Sequence, residues 1–267
     1  MAAALIANLA TTHRTRRNPT EKTETAISQD VGTSDADGAQ GQAETLLKQA
    51  ISHSPGAIEE ISSNVNRWNG QVKWNSQIAS LTTAALNSDD MRVRESGVEV
   101  ELAAYGLAKN AQSLDSVLKA ANSPDHGRKI WALWALGLLA NRGVEPERAV
   151  GELKSHLSDP DVESRHWAVE ALAVAGSDDA LATLLKTMHD DASPMVRERA
   201  ACGVAESGMF THEQRMSAVP RLLEYSDDPA LDAATHAWAF HALSDITRQH
   251  LPNDADVWRR WYASRAQ

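Results

Sequence analysis

Apolar positions recur at helical spacing through most of this chain. Leu46, Leu47, Ala50 and Ile51 fall on one side of a 3.6-residue period, which Ser54, Pro55 and Gly56 interrupt. Ile58, Ile61, Val65 and Trp68 make the next stripe, which predicts a helix over 57–68 that ends at the turn pair Asn69-Gly70. No stretch alternates apolar and polar residues long enough to predict a strand. The pattern predicts an all-α fold.

Further on, the pattern repeats. Short amphipathic runs ("LDSVLKAAN", "AVGELKSHLS", "LATLLKTMHD", "AVPRLLEYSD") alternate with Ala-rich runs ("WALWALGLLA", "WAVEALAVAG", "RAACGVAESG", "WAFHALSDIT"). Acidic turns join them, and their prolines Pro124, Pro160, Pro194 and Pro229 stand 36, 34 and 35 residues apart. A helix–turn–helix unit with a period in the mid-thirties predicts an α-solenoid, a superhelix of antiparallel helix pairs. One pair cannot bury its apolar face alone, and stacked pairs share a continuous core. The Ala-rich runs are apolar on every side, as buried helices are. Trp131, Trp167 and Trp238 head three of them and are expected as core anchors. Gly137 would let neighbouring helices approach closely.

The blocks "DDMRVRESGVEVELAAYGLA", "SDPDVESRHWAVEALA" and "ASPMVRERAACGVA" resemble bacterial HEAT repeats of the kind also found in phycobilin lyases. Val93-Arg94 and Val196-Arg197 match that family's Val-Arg pair, Arg165 falls where its Arg would be, and Lys129 and His236 replace it in two repeats. The resemblance spans roughly 81–251. It implies a HEAT-like, armadillo-type solenoid, a fold that serves many unrelated functions.

These patterns divide the chain. Residues 1–43 hold little that is large and apolar after "MAAALIANLA", and predict a segment without stable structure. Residues 44–80 predict N-terminal helices that cap the array, 81–251 the HEAT-like repeats, and 252–267 a C-terminal capping helix. In that last helix Trp258, Trp261 and Tyr262 fall at i, i+3 and i+4, a structural cap for the open end. Its expected seat is the helix that contains Trp238. The opening apolar run is too short to span a bilayer, and its basic residues follow it rather than precede it. The expected location is cytoplasmic; export or anchoring through an atypical N-terminus is the alternative.

Charge narrows the partners. The formal net charge of −10 falls almost wholly on residues 81–267. An acidic body has few cations for phosphate backbones, so nucleic acid is not expected as a partner. The single Cys202 rules out an internal disulfide, and its Ala-rich setting predicts a small buried side chain.

No catalytic, metal-binding or cofactor-binding motif appears. HEAT-repeat di-iron hydroxylases draw their ligands from repeated His-Glu pairs, and this chain has one such pair, His212-Glu213, in an expected inter-helix loop. The sequence therefore points to a non-enzymatic, monomeric scaffold that binds another protein and carries no cofactor. The alternative is an enzyme or lyase-accessory protein with a small-ligand groove on the concave face. Aligning the repeats puts Trp134, Glu170, Cys202 and His241 at one equivalent position, and in the resembled family that position is usually charged. Trp134, Glu170 and His241, with His166 beside them, are the expected concave contact surface.

Overall fold

The computed structural model describes residues 35–265. Thirteen α-helices and no strands occur among them. The first four are α1 (Asp35–Ile51), α2 (Ala57–Trp68), α3 (Ser76–Leu86) and α4 (Met91–Ala104). Then come α5 (Ala111–Ala121), α6 (His126–Asn141), α7 (Pro146–Ser155), α8 (Val162–Ala175) and α9 (Asp178–Asp190). The last four are α10 (Pro194–Cys202), α11 (His212–Tyr225), α12 (Ala233–Thr247) and α13 (Ala255–Ser264). A 3-10 turn, His156–Ser158, extends α7, and a π turn, Gly203–Ser207, extends α10. The expected unstructured segment does not reach residue 43: α1 opens at Asp35 and buries Ala39 and Ala43. The rest of that segment lies outside the described residues.

Consecutive helices pair antiparallel and the pairs stack, so α2, α4, α6, α8, α10 and α12 form one layer. Among the paired outer helices, α5, α7, α9 and α11 pack in succession. The Ala-rich runs become the even-numbered layer because small side chains let backbones approach. Gly137 of α6 meets α8 so closely that a Cβ there would lie 2.5 Å from the carbonyl oxygen of Ala171. Trp167 is buried as expected, but Trp131 and Trp238 are only half-buried at the margin of the core.

The acidic turns have a local cause. Asp90, Asp125, Asp161 and Asp232 each accept a hydrogen bond from a backbone N–H in the first turn of the helix that follows, and so start α4, α6, α8 and α12. In three repeats a cation near the start of the helix, Lys129, Arg165 or Arg197, reaches the next turn along the array. Lys129 Nζ lies 2.9 Å from Asp159, Arg165 grips both oxygens of Asp191 at 2.8 and 3.1 Å, and Arg197 pairs with Asp232. These links fix the register between successive repeats.

Apolar packing divides inside α4 rather than at residue 80. Val93, Val100 and Ala103 join the core of α1 to α3, whereas Val98 and Leu102 join the larger core that runs on to α13. Arg94 breaks the ladder pattern: it reaches past α6 and α8 to the carbonyls of Glu206 and Gly208, at 3.1 and 3.0 Å. That long reach shows how sharply the even-numbered layer curls, which makes it the concave side. At the C-terminus, Trp258 is buried and packs edge-on against Trp261. Helix α13 sits chiefly against α11, not on the helix that holds Trp238. Arg259 fastens it there through Asp227 and the carbonyl of Leu223.

Candidate binding cleft

The concave side holds a cleft of about 330 Å³. Helices α6, α8 and α10 give it Trp134, His166, Trp167, Glu170, Val174, Met195, Glu198, Arg199 and Cys202. Leu86 and Asn87 at the end of α3 and Glu206, Ser207 and Met209 after α10 complete the lining, and Arg94 ties these two segments together through the carbonyls of Ser88, Glu206 and Gly208. The π turn shapes this part of the wall. It lets the chain leave α10 early, and Met209 N then donates to the Ala173 carbonyl at 2.8 Å.

Of the four expected contact residues, three meet in this cleft: Trp134, His166 and Glu170. His241 is not part of it; its side chain is exposed and pairs with Asp245 at 3.2 Å. Trp134 is nearly covered, at 6% exposure, because its indole Nε1 turns inward and donates to buried Glu101 at 2.7 Å. Only part of the ring is left to the cleft wall, edge-on to Trp167. Cys202 is half-buried and lines the cleft rather than the core, and burial pushes its thiol above the usual range.

Glu170 and Arg199 pair in the cleft, while the buried Nδ1 of His166 has no hydrogen-bond partner among the described residues. Glu170 Oε1 lies 2.5 Å from Arg199 Nε and 3.6 Å from His166 Nε2. Burial holds the His166 imidazole below its ordinary pKa, with the Glu170 charge opposing that shift and Arg199 adding to it. His166 is therefore neutral at neutral pH. At the mouth, Met195 is 48% exposed; with Val162 it is one of two exposed large apolar side chains among the described residues. Glu198 is exposed one turn further along α10, and Glu206 is exposed in the π turn that ends that helix.

Sequence reasoning missed Met195, Glu198, Arg199 and Glu206 as cleft residues. Glu198 and Arg199 lie one helical turn before Cys202, a spacing that marks the same helix side once Cys202 is placed there. It also missed two buried carboxylates in α4, Glu99 and Glu101. Glu99 is met by Lys109 at 2.8 Å and Arg142 at 3.0 Å. Glu101 has two neutral donors instead, and burial raises its carboxyl to about 7. His212 and Glu213 are the first residues of α11 rather than a loop, and no group of three or more His, Cys, Asp or Glu among the described residues is arranged to hold a metal.

A larger hollow of about 730 Å³ lies between α9 and α11. Its charges satisfy each other: His189 sits between Asp190 and Asp228, Lys186 pairs with Asp190, and Arg221 with Glu224. It is the furrow between successive outer helices and presents no unpaired exposed apolar group.

Residues 114–205 match the family model of HEAT repeats. Among solved structures, the chain is similar to a designed armadillo repeat protein in complex with a (KR)4 peptide, at 19% identity and a TM-score of 0.36, over 76% of this chain and 99% of that one. It is also similar to an engineered protein at 17% identity and a TM-score of 0.36, over 77% and 96% of the two chains. No curated protein matches the chain. No helix among the described residues is long and apolar enough to cross a membrane.

Proposed function

We propose that this chain, which carries HEAT repeats over residues 114–205, is a protein-binding module whose contact surface is the concave cleft. The observation that carries this reading is Met195, half-exposed at the mouth of a concave surface whose floor is Trp167 and Val174. A partner segment would cover apolar surface that the fold leaves in water. The chemistry of the cleft favours binding over catalysis. A nucleophilic cysteine needs a lowered pKa, and burial moves Cys202 the other way. A general base must be free to take a proton, and Glu170 is engaged by Arg199. Trp134, His166 and Glu170 are on this reading parts of the cleft wall. Trp258, Trp261 and Tyr262 cap the array, which the burial of Trp258 supports.

Site-specific photo-crosslinking tests the proposal. A benzophenone side chain at Met195 should capture a protein in the native cell, and the same group at exposed Gly151 on α7 should not. Capture from Gly151 alone would move the contact surface to the outer helices. Turnover of a small molecule that is lost in Glu170→Gln would make the cleft an active site instead.

A further inference from the structure

We propose that the cleft takes an extended segment of a partner protein in which a Lys or Arg is flanked by apolar side chains. This rests on the reading of the cleft as a protein-contact surface, and adds the chemistry of what fills it.

Charge carries the argument. Three carboxylates line the cleft, those of Glu170, Glu198 and Glu206, against the single guanidinium of Arg199. Arg199 is already committed to Glu170 at 2.5 Å. Glu198 and Glu206 are exposed, and neither side chain forms an ion pair among the described residues. Arg94 and Arg215 lie near Glu206 but place their donors on backbone carbonyls, including that of Glu206 itself. His166 is neutral at neutral pH and adds no positive charge. At the mouth, Glu198 therefore makes no ion pair among the described residues, and Glu206 has Arg94 and Arg215 close by while its carboxylate stays out of direct contact with either. Beside Glu198 stands exposed Met195, and half-buried Leu86 also lines the cleft; an acidic or wholly polar segment would leave both uncovered.

The layout favours an extended segment. The cleft crosses α6, α8 and α10 in turn, and packed helices stand about 8–10 Å apart. Alternate side chains of an extended chain point the same way at about 7 Å spacing. Apolar side chains at alternate positions would reach successive helices, and a cation between or beside them would stay at the rim near Glu198 and Glu206.

The test uses the full chain and short capped peptides, read by calorimetry. A peptide of alternating Leu and Arg should bind, and more weakly as salt rises. One of alternating Leu and Glu should not bind, and one of alternating Ser and Arg should bind at least about tenfold more weakly. Glu198→Gln with Glu206→Gln should lower affinity for the Leu/Arg peptide by about tenfold, the sum of two exposed ion pairs. Both side chains are exposed, so the double variant should keep the helical circular dichroism and the unfolding midpoint of the parent. Equal binding of the Ser/Arg or Leu/Glu peptide, or an unchanged affinity in the double variant, would overturn the proposal. If Arg14→Ser with Arg16→Ser and Arg17→Ser tightens peptide binding, the cleft belongs to the chain's own first residues and the proposal also fails. A protein cross-linked at Met195 through an acidic segment would sink this inference and leave the contact-surface reading standing.

Discussion

The indole Nε1 of Trp134 donates to Glu101 Oε1 at 2.7 Å across the seam between α4 and α6. The Tyr105 hydroxyl donates to the same oxygen at 2.9 Å. Glu101 is 2% exposed and, among the described residues, makes no ion pair. Its neighbour Glu99 takes the local cations, Lys109 and Arg142. A carboxylate buried with two neutral donors is desolvated more than it is stabilised, so its pKa rises to about 7.

That shift sets a pH dependence of stability. The folded protein holds the Glu101 proton more tightly than the unfolded chain, whose value is near 4.5. The contribution is fully present below the unfolded value and is lost as pH rises through about 7. Its size is on the order of 3 kcal/mol. Glu101→Gln keeps an acceptor for Trp134 and Tyr105 and removes the titration. Urea midpoints at about pH 5.5 and pH 8 should then lie closer together in the variant than in the parent, with the gain at the higher pH. An unchanged difference between the two conditions would place the proton elsewhere.

Gly137 and Gly151 should respond to alanine in opposite directions. A Cβ at Gly137 would lie 2.5 Å from the Ala171 carbonyl oxygen and 2.8 Å from its Cα, both backbone atoms. Helices α6 and α8 would have to separate, at a cost of about 1–3 kcal/mol. Gly151 sits in exposed α7 with nothing near its missing Cβ, so Gly151→Ala should stabilise by up to about 1 kcal/mol. Thermal unfolding of the two variants checks both signs.

The fold was legible where period and turn chemistry agreed. The stripe at 57–68 became α2 with the expected bounds, and two of the four acidic turns, those of Asp125 and Asp161, became side-chain helix caps. The cleft was legible only in part, because repeat alignment gives the side a residue faces but not its rotamer. Trp134 shares the position of Glu170, yet its indole turns inward to Glu101, a residue far away in sequence. The same limit hid Glu101: a Glu-Val-Glu run in a helix reads as solvated, and although Tyr105 stands one turn away, nothing local announces the Trp134 donor that covers the carboxylate from the next repeat. The π turn was also unreadable, since it depends on Arg215 reaching back from the next helix.

Arg215 should be the more costly of the two arginines at that turn. It is buried and donates to the carbonyls of Phe210, Val204, Glu206 and Gly208. Burial, with Arg94 nearby, lowers its pKa to about 10, still charged at neutral pH. Arg215→Met would strand several buried carbonyls and should cost about 2–4 kcal/mol. Arg94→Met should cost about 1 kcal/mol, because Glu206 and Gly208 keep Arg215 as a donor. The double variant should lose more than the sum of the two, since each guanidinium covers for the other at those carbonyls. Additive unfolding midpoints would show that the two act independently.

Trp258 should hold the C-terminal end of the array. It is 1% exposed, packs edge-on to Trp261 at 5.7 Å between ring centres, and donates its indole N–H to the Pro252 carbonyl at 3.0 Å. Truncating a buried Trp to Ala costs about 3–5 kcal/mol, a large share of a marginal stability. Arg259→Ala removes partly exposed ion pairs with Asp227 and should cost no more than about 1 kcal/mol. In a solenoid each repeat leans on its neighbours, so the loss in Trp258→Ala should appear first in α11, against which α13 packs, then in α12. Hydrogen exchange resolved along the chain reads this directly: protection should fall most over 212–247 and approach the parent's by α6. A uniform loss would mean that the array unfolds as one unit. Unchanged protection over 212–247 would mean that α13 does not support the array at all, and its Trp-rich side would then be free to serve as a docking element.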